Sequence, residues 1–133
     1  YDSEAGRAFA ASIAHTMRDV AYDASVALAQ ERGIVFEVCP TSNVQSGVAP
    51  SYRAHPLLRM VQAGLCVTLN TDDPSISGID LTDEYVHAVE EMGVALEELE
   101  RSVLDGARAA FLLPGEREAL VERVQAGLDE RGS

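Results

Sequence analysis

Residues 67–74 constrain the fold more than any other part of the sequence. Residues 67–69 form an apolar, β-branched stretch that suits a buried strand, and the chain then becomes polar. Two adjacent acids, Asp72 and Asp73, follow directly before Pro74. In α/β folds the carboxyl end of a parallel strand is where binding and catalytic side chains collect, so this run predicts a strand that ends at a candidate site.

The same two acids also fit ordinary turn chemistry. An aspartate accepts backbone N–H bonds at the start of a helix, and proline suits the first helical position. Taken alone, the Asp-Asp-Pro tripeptide favours this capping role over a functional site. Two neighbouring carboxylates repel each other, however, so a fold that holds both at a strand end is expected to supply a cation or a proton partner.

Strands and helices alternate in the first half of the sequence. Apolar stretches favour strands over residues 9–15, 34–39 and 65–71, while helical spacing favours helices over 19–32 and 55–63 that end at Gly33 and Gly64. The first strand is the weakest of these, and residues 4–18 fit one alanine-rich helix equally well. The alternating order and the short connections predict parallel pairing through right-handed crossovers.

The second half of the sequence is predicted to be helical. A loop over residues 75–79 is expected to precede helices over 83–91, 96–110 and 114–128. Ser42 and Asn43 follow the second strand and favour a plain turn, with a site-lining role as the alternative. No low-complexity linker interrupts the chain, so residues 1–133 are interpreted as a single, partial domain.

The charge and cysteine content exclude some classes of partner. The sequence has 22 acids and 10 bases, a formal net charge of −12 at pH 7, so we expect neither nucleic acid nor an anionic membrane as a partner. Much of the acid lies in residues 83–100 and 116–130, which we expect to be exposed helix faces. No apolar run reaches the roughly 18–20 residues of a membrane-spanning helix. Cys39 and Cys66 have no disulfide-type or CxxC spacing, which favours a reducing cytoplasm.

Four stretches together resemble the adenosine deaminase family of zinc-dependent hydrolases. Each stretch is modest alone, but the order and spacing of the set are similar to the family's, from about His15 to the terminal helices. The stretches are Phe36-Glu37-Val38-Cys39-Pro40-Thr41-Ser42-Asn43, then His55-Pro56-Leu57-Leu58-Arg59 leading through Ala63-Gly64, then Asn70-Thr71-Asp72-Asp73-Pro74, and finally Leu81-Thr82-Asp83-Glu84-Tyr85.

The resemblance implies a fold and the amount of it that is present. The family folds as a (β/α)8 TIM barrel, which needs about 250 residues. This chain resembles its C-terminal part, about three parallel strand–helix units plus the terminal helices. The family's His-x-His pair and its His-Ala-Gly-Glu segment have no counterpart in the sequence.

The resemblance also implies roles for three residues. Asp72 matches the zinc-ligand aspartate, and Asp73 matches the neighbouring acid that accepts a hydrogen bond from the purine. His15 matches the catalytic histidine, although Ala14 and Thr16 stand where the family has glycines. Because successive side chains of a strand point to opposite sides, we expect Asp72 to face the metal and Asp73 the substrate.

The implied reaction is the zinc-dependent hydrolytic deamination of adenosine, a purine nucleoside, to inosine and ammonia. A catalytic Zn²⁺ needs about three protein ligands, so the others are expected on the missing N-terminal half of the barrel or on a second chain. The 133 residues alone are therefore expected to be inactive.

Two other functions stay open. One is a non-catalytic half-barrel remnant that forms a homo-oligomer, or pairs with a partner chain, to cover its open strand edge. The other is a deaminase of adenine, AMP or another adenosine derivative.

Overall fold

The computed structural model describes residues 22–130. The strand predicted over residues 9–15, the alternative helix over 4–18 and the candidate catalytic His15 lie outside the described residues. The pattern of contacts divides the chain into two compact units, with the boundary after Ile34. The described part of the first unit is helix α1, which includes residues 22–31, and the turn that ends it.

The helices that precede the two strands end in the same way. Helix α1 ends before Gly33 (φ +61°), and helix α3 (Leu57–Gln62) ends before Gly64 (φ +72°). In each case the N–H of the residue after the glycine donates to the carbonyl five residues earlier, at 2.9 Å and 3.1 Å. Glycine adopts this left-handed backbone without steric cost, so the two predicted helix ends are confirmed.

A parallel pair of strands forms the centre of the second unit. Strand β1 (Val35–Val38) pairs with β2 (Cys66–Leu69), with Val35 opposite Cys66 and Val38 opposite Leu69. The connection between the strands contains helix α2 (Pro40–Gln45), a 3₁₀ turn (Tyr52–Ala54) and helix α3. The observed register confirms the predicted parallel pairing of these strands. The long crossover agrees with it, since parallel neighbours cannot be joined by a tight turn.

Four helices follow β2. They are α4 (Pro74–Ser77), α5 (Leu81–Glu90), α6 (Leu96–Ala109) and α7 (Pro114–Asp129). The prediction of a loop over residues 75–79 was wrong for its first part, because Asp73 caps a short helix there. Helix α5 starts two residues earlier than predicted, since the side chain of Asp80 accepts from Asp83 N and that of Asp83 accepts from Asp80 N. Within residues 22–130, no helix is long and apolar enough to cross a membrane.

The hydrophobic core of the second unit packs against one face of the strand pair. Val67 and Leu69 are two residues apart on β2 and so point to the same face, and Val38 on β1 lies opposite Leu69. The three side chains therefore share that face. The other buried members of the core come from the helices and their connections: Leu57, Ala88, Met92, Val94 and Leu99. This core fixes α3, α5 and α6 against the strands.

Leu57 provides a test of this core. It is 1% exposed, so Leu57→Ala is expected to lower the free energy of unfolding by about 2–5 kcal/mol, through lost burial and the cavity left behind. Leu96→Ala is the matched control, because Leu96 is 61% exposed and its truncation is expected to change stability by less than about 0.5 kcal/mol. Urea unfolding followed by circular dichroism measures both, and equal losses would contradict the assigned core.

Candidate functional site

The candidate site begins where β2 ends. The N–H of Asn70 donates to Val38 O at 2.9 Å and so extends the pairing one residue past β2. Its side-chain Nδ2 donates to Thr68 O at 3.1 Å and to Thr68 Oγ1 at 3.0 Å. Asn70 therefore fixes the backbone at the point from which the Asp72–Asp73 turn departs.

Asp72 has a backbone conformation that L-residues rarely adopt. Its φ is +61°, the only positive value among the non-glycine residues that the structure describes. Such a conformation costs of order 1 kcal/mol or more and clusters at functional sites. Ser42 Oγ donates to Asp72 Oδ2 at 2.8 Å, which orients the carboxylate of this exposed residue. Its other oxygen, Oδ1, accepts no hydrogen bond from residues 22–130.

Asp73 caps the next helix. Its Oδ1 accepts from Ser75 N at 3.0 Å and from Ile76 N at 3.1 Å, so the capping role favoured by the tripeptide is real. Its Oδ2 accepts no hydrogen bond from the described residues and can therefore bind another donor.

The two carboxylates are separated by the turn and not by strand alternation. Strand β2 ends at Leu69, before the two acids. The expectation that the alternation of strand side chains directs Asp72 and Asp73 apart was therefore wrong. The left-handed residue at position 72 changes the chain direction instead, and the two acids bind different partners.

Helix α2 supplies the contact to Asp72. The favoured prediction of a plain turn at Ser42 and Asn43 was wrong, because residues Pro40–Gln45 form a six-residue helix that starts at a proline. The alternative, that Ser42 lines the site, agrees with its bond to Asp72. At the other end of α2, Gln45 Nε2 donates to Ser77 O at 3.0 Å and links this helix to α4.

A buried carboxylate from α5 holds the start of α2. Glu84 is 0% exposed, and the N–H of Thr41 donates to both of its oxygens at 3.2 Å. Burial raises the pKa of Glu84, while hydrogen bonds from the backbone and side chain of Thr41 oppose that shift. The expectation that the acids of residues 83–100 form an exposed face was wrong for Glu84. Its spacing from Ala88 and Met92, which are buried one and two turns later, is the sequence signal that could have identified it.

Tyr52 supports the same helix from the side. Its hydroxyl lies 2.9 Å from Thr41 Oγ1, and its ring stacks on the ring of His87 with centroids 4.1 Å apart. His87 Nδ1 in turn lies 2.7 Å from a carboxylate oxygen of Glu91. The first turn of α2 is therefore held by α5 directly through Glu84 and indirectly through Tyr52, which stacks on His87.

Cys39 lies between these acids as a protonated thiol. Burial raises the pKa of Cys39, and the negative charges of Asp72, Glu84 and Glu37 raise it further. A backbone hydrogen bond from Asp72 partly opposes the shift. The thiolate is the form that attacks electrophiles and binds metals, so the protonated Cys39 is expected to do neither at neutral pH.

His55 is a buried neutral histidine that orders the chain between α2 and α3. Leu57 N donates to its Nδ1 at 3.1 Å, so Nδ1 is an acceptor and the proton is on Nε2, which lies 3.0 Å from Asn43 Oδ1. Burial lowers the pKa of His55, in agreement with the neutral form.

The metal-binding capacity of the described residues is limited. Within residues 22–130, no group of three or more His, Cys, Asp and Glu side chains could hold a metal ion. Zinc in a catalytic site takes about three protein ligands. Asp72, with one oxygen oriented by Ser42 and the other available, fits the part of one such ligand and not of a complete site.

Comparisons with known proteins agree on one family. A family model described as adenosine deaminase matches residues 7–127. Adenosine deaminase from Klebsiella pneumoniae (strain 342) is 36% identical over 115 residues, which cover 86% of this chain and 34% of that protein. Adenosine deaminase from Salmonella heidelberg (strain SL476) is 40% identical over 99 residues, which cover 74% of this chain and 29% of that protein. The chain thus spans about a third of the length of these relatives.

Two solved structures share the fold. Adenine deaminase from Arthrobacter aurescens superposes with a TM-score of 0.72 and 25% identity, over 78% of this chain and 32% of that one. The N6-methyl-AMP deaminase from Arabidopsis thaliana superposes with a TM-score of 0.66 and 25% identity, over 73% of this chain and 29% of that one. Both have the TIM-barrel fold, so the predicted fold, part of an α/β barrel, is confirmed.

The strain at position 72 has a measurable consequence. Asp72→Gly is expected to exceed Asp72→Ala in stability by roughly 1 kcal/mol, because glycine adopts the left-handed backbone without steric cost and alanine does not. Both variants lose the bond from Ser42 equally, so the comparison isolates the backbone. Urea unfolding of the two variants measures the difference, and identical midpoints would refute the strain.

His55 is expected to make stability depend on pH. Its pKa is lowered in the folded chain, so the unfolded chain binds the proton first as the pH falls below about 6.5. The contribution of His55 is therefore complete above that pH and declines as the pH falls toward the folded pKa. The free energy of unfolding of the parent chain and of His55→Gln is measured with urea at pH 7.5 and at pH 5.5. The parent is expected to exceed the variant by more at pH 7.5 than at pH 5.5. A difference that does not change with pH would contradict this assignment.

Proposed function

This chain belongs to the adenosine deaminase family, and from that premise we propose that it forms the aspartate-bearing part of a zinc-dependent adenosine deaminase active site. The reaction is the hydrolysis of adenosine to inosine and ammonia. Deamination is the activity that the names of the relatives and structural neighbours have in common. The observation that carries the proposal is the strained Asp72 turn, held by Ser42 at the carboxyl edge of a parallel strand pair.

Asp72 is the zinc ligand in this proposal. A bound Zn²⁺ lowers the pKa of its water to near 7 and so provides hydroxide at neutral pH. The bond from Ser42 holds Oδ2 and leaves Oδ1 available, as expected of a carboxylate that binds a metal through one oxygen. The remaining ligands come from the rest of a barrel, either in the same polypeptide or on a second chain.

Asp73 accepts a hydrogen bond from the purine. Its Oδ1 is used to cap α4, which fixes the side chain, and its Oδ2 is left to accept a donor from the substrate. The fixed position of the carboxylate lowers the entropy cost of binding the ring. His15 orients the attacking water and accepts its proton, a role in which histidine works near neutral pH.

The substrate class includes close alternatives to adenosine. The structural neighbours are described as an adenine deaminase and an N6-methyl-AMP deaminase. An acceptor for the purine ring, such as Asp73, serves a free base, a nucleoside and a nucleotide equally well. The groups that distinguish ribose or phosphate would lie elsewhere in the barrel, so adenosine, adenine and AMP are compared in one substrate panel.

The first test uses the 133-residue chain alone. We expect no stoichiometric zinc by metal analysis and no fall in absorbance when adenosine is added, because one carboxylate ligand cannot hold a catalytic zinc. Stoichiometric zinc with full turnover would contradict the proposal that the chain is inactive alone. Light scattering on the same sample tests the remnant hypothesis, because a non-catalytic remnant is expected to self-associate. That hypothesis also requires the chain to stay inactive when the rest of a barrel is supplied.

The second test gives the chain the rest of a barrel. The 115 matching residues of the Klebsiella pneumoniae enzyme are replaced by those of this chain, and the chimera is assayed with the substrate panel. Asp72→Asn is expected to lower kcat/KM by more than roughly 10–100-fold, which is the loss typical of replacing a residue that only hydrogen-bonds to a metal ligand. Asp73→Asn keeps a good helix cap and is expected to lower kcat/KM about 10–100-fold, the worth of a hydrogen bond to a charged acceptor.

Asp80→Asn is the matched control for both variants, because it changes another capping aspartate that lies outside the turn. Its activity is expected to equal that of the parent chimera. A folded, zinc-loaded chimera that deaminates none of the three substrates, or an Asp72→Asn chimera with full activity, would refute the proposed function.

A further inference from the structure

We infer that Glu84 is a positioning residue of the candidate site: through helix α2 and Ser42 it sets the orientation of the Asp72 carboxylate. Its relevance to catalysis rests on the proposed function, but the link itself is a property of this chain. Within the part of the chain that the structure describes, Glu84 makes no hydrogen bond to Asp72 and binds Thr41 instead. Its hydrogen-bonded link to the site therefore passes through α2.

Helix α2 has no cap of its own. The residue in the capping position, Cys39, makes no side-chain bond to the first turn, and Pro40 has no N–H to be satisfied. Glu84 takes over this function from 43 positions away in the sequence, by accepting the Thr41 N–H with both oxygens. A negative charge at a helix N-terminus is also favoured by the helix dipole.

A helix of this length depends on such an anchor. Six residues are too few to hold a helix in isolation, so tertiary contacts determine where α2 sits. The hydrogen bonds of its side chains to other segments within residues 22–130 are few: Thr41 Oγ1 with Tyr52, Ser42 with Asp72, Asn43 with His55, and Gln45 with Ser77. Two buried ionisable residues among those described contact α2: His55, 6% exposed, binds Asn43, whereas Glu84, 0% exposed, binds Thr41 in the first turn.

The anchor and the contact with the site are adjacent. Thr41, which Glu84 holds, precedes Ser42, which donates to Asp72 Oδ2 at 2.8 Å. A shift of the first turn by a few tenths of an ångström changes that distance directly and moves it away from 2.8 Å, the usual length for a hydroxyl donor. Release of Thr41 is therefore expected to weaken the bond that orients Asp72, although the strands and the core remain in place.

The alternative is that Glu84 contributes only to stability. In that case its replacement would lower the unfolding midpoint but leave the environment of Asp72 unchanged. A signal from Asp72 itself distinguishes the two, because a purely structural role would not move it while the chain stays folded.

The experiment measures the ¹³Cγ resonance of Asp72 by NMR in the 133-residue chain at pH 7. Ser42→Ala removes the hydrogen bond and gives the reference displacement. Glu84→Gln is expected to move the resonance in the same direction, and Ser42→Ala with Glu84→Gln to move it no further than Ser42→Ala alone. Glutamine is nearly isosteric, so the variant is expected to fold, but it replaces one of the two oxygens that accept the Thr41 N–H with an NH₂ group, which only donates.

Glu90→Gln is the matched control, because Glu90 lies on the same helix and is exposed. It is expected to leave the Asp72 resonance where it is. A folded Glu84→Gln chain whose Asp72 resonance equals that of the parent would overturn the inference, and so would a Ser42→Ala chain with no displacement. Glu84→Asp keeps the charge on a shorter side chain and is expected to give an intermediate displacement. If neither Glu84 variant folds, Glu84 determines the fold alone and the inference is overturned.

This measurement uses neither metal nor substrate, so the inference and the proposed function fail separately. A responsive Asp72 in a chain whose barrel chimera is inert would refute only the deaminase function. An active chimera whose Asp72 ignores Glu84 would refute only the positioning role.

Discussion

The register of β1 on β2 is the constraint on which the rest of this structure depends. With Val38 opposite Leu69, the two strands end at the same level, and the segments that leave them start side by side. Helix α2 leaves β1 with Ser42 in its first turns, while the turn that leaves β2 carries Asp72, and the two meet at 2.8 Å. A shift of one residue would turn every side chain of a strand to its other face, so the core and the site would be lost together.

A second level of organisation lies in the contact of α5 with α2. Burying a carboxylate such as Glu84 costs several kcal/mol unless hydrogen bonds compensate, and its raised pKa indicates that burial outweighs the bonds from Thr41. The sign of the linkage follows: the contribution of Glu84 to stability is complete below its unfolded pKa and declines as the pH rises through the folded pKa. An apolar residue at this position would carry no desolvation cost at neutral pH, but it could not accept the Thr41 N–H that Glu84 accepts. The placement of α2, and not stability, therefore accounts for an acid at position 84.

Much of the fold could be predicted from the sequence, because its signals are local. Glycines at 33 and 64 end helices for steric reasons, and the apolar run after Gly64 reads directly as β2. The Asp-Asp-Pro run predicts the helix cap that Asp73 forms, whereas the site roles of Asp72 and Asp73 come from the resemblance of four stretches and stay predictions. What failed depends on contacts between distant segments. The charge of Glu84 does not reveal its partner 43 residues away, and the sequence of α2 favours a turn because the cap of this helix comes from another helix.

The left-handed backbone at Asp72 has a consequence for the evolution of this gene. The genetic code separates aspartate from glycine by a single base, and the backbone at this position suits glycine better than aspartate. A copy of the gene released from selection for a carboxylate would therefore accept that base change without harm to its folding. If Asp72 is the zinc ligand that we propose, selection for its carboxylate keeps aspartate at this codon, and a glycine in a sister gene would mark the loss of that selection.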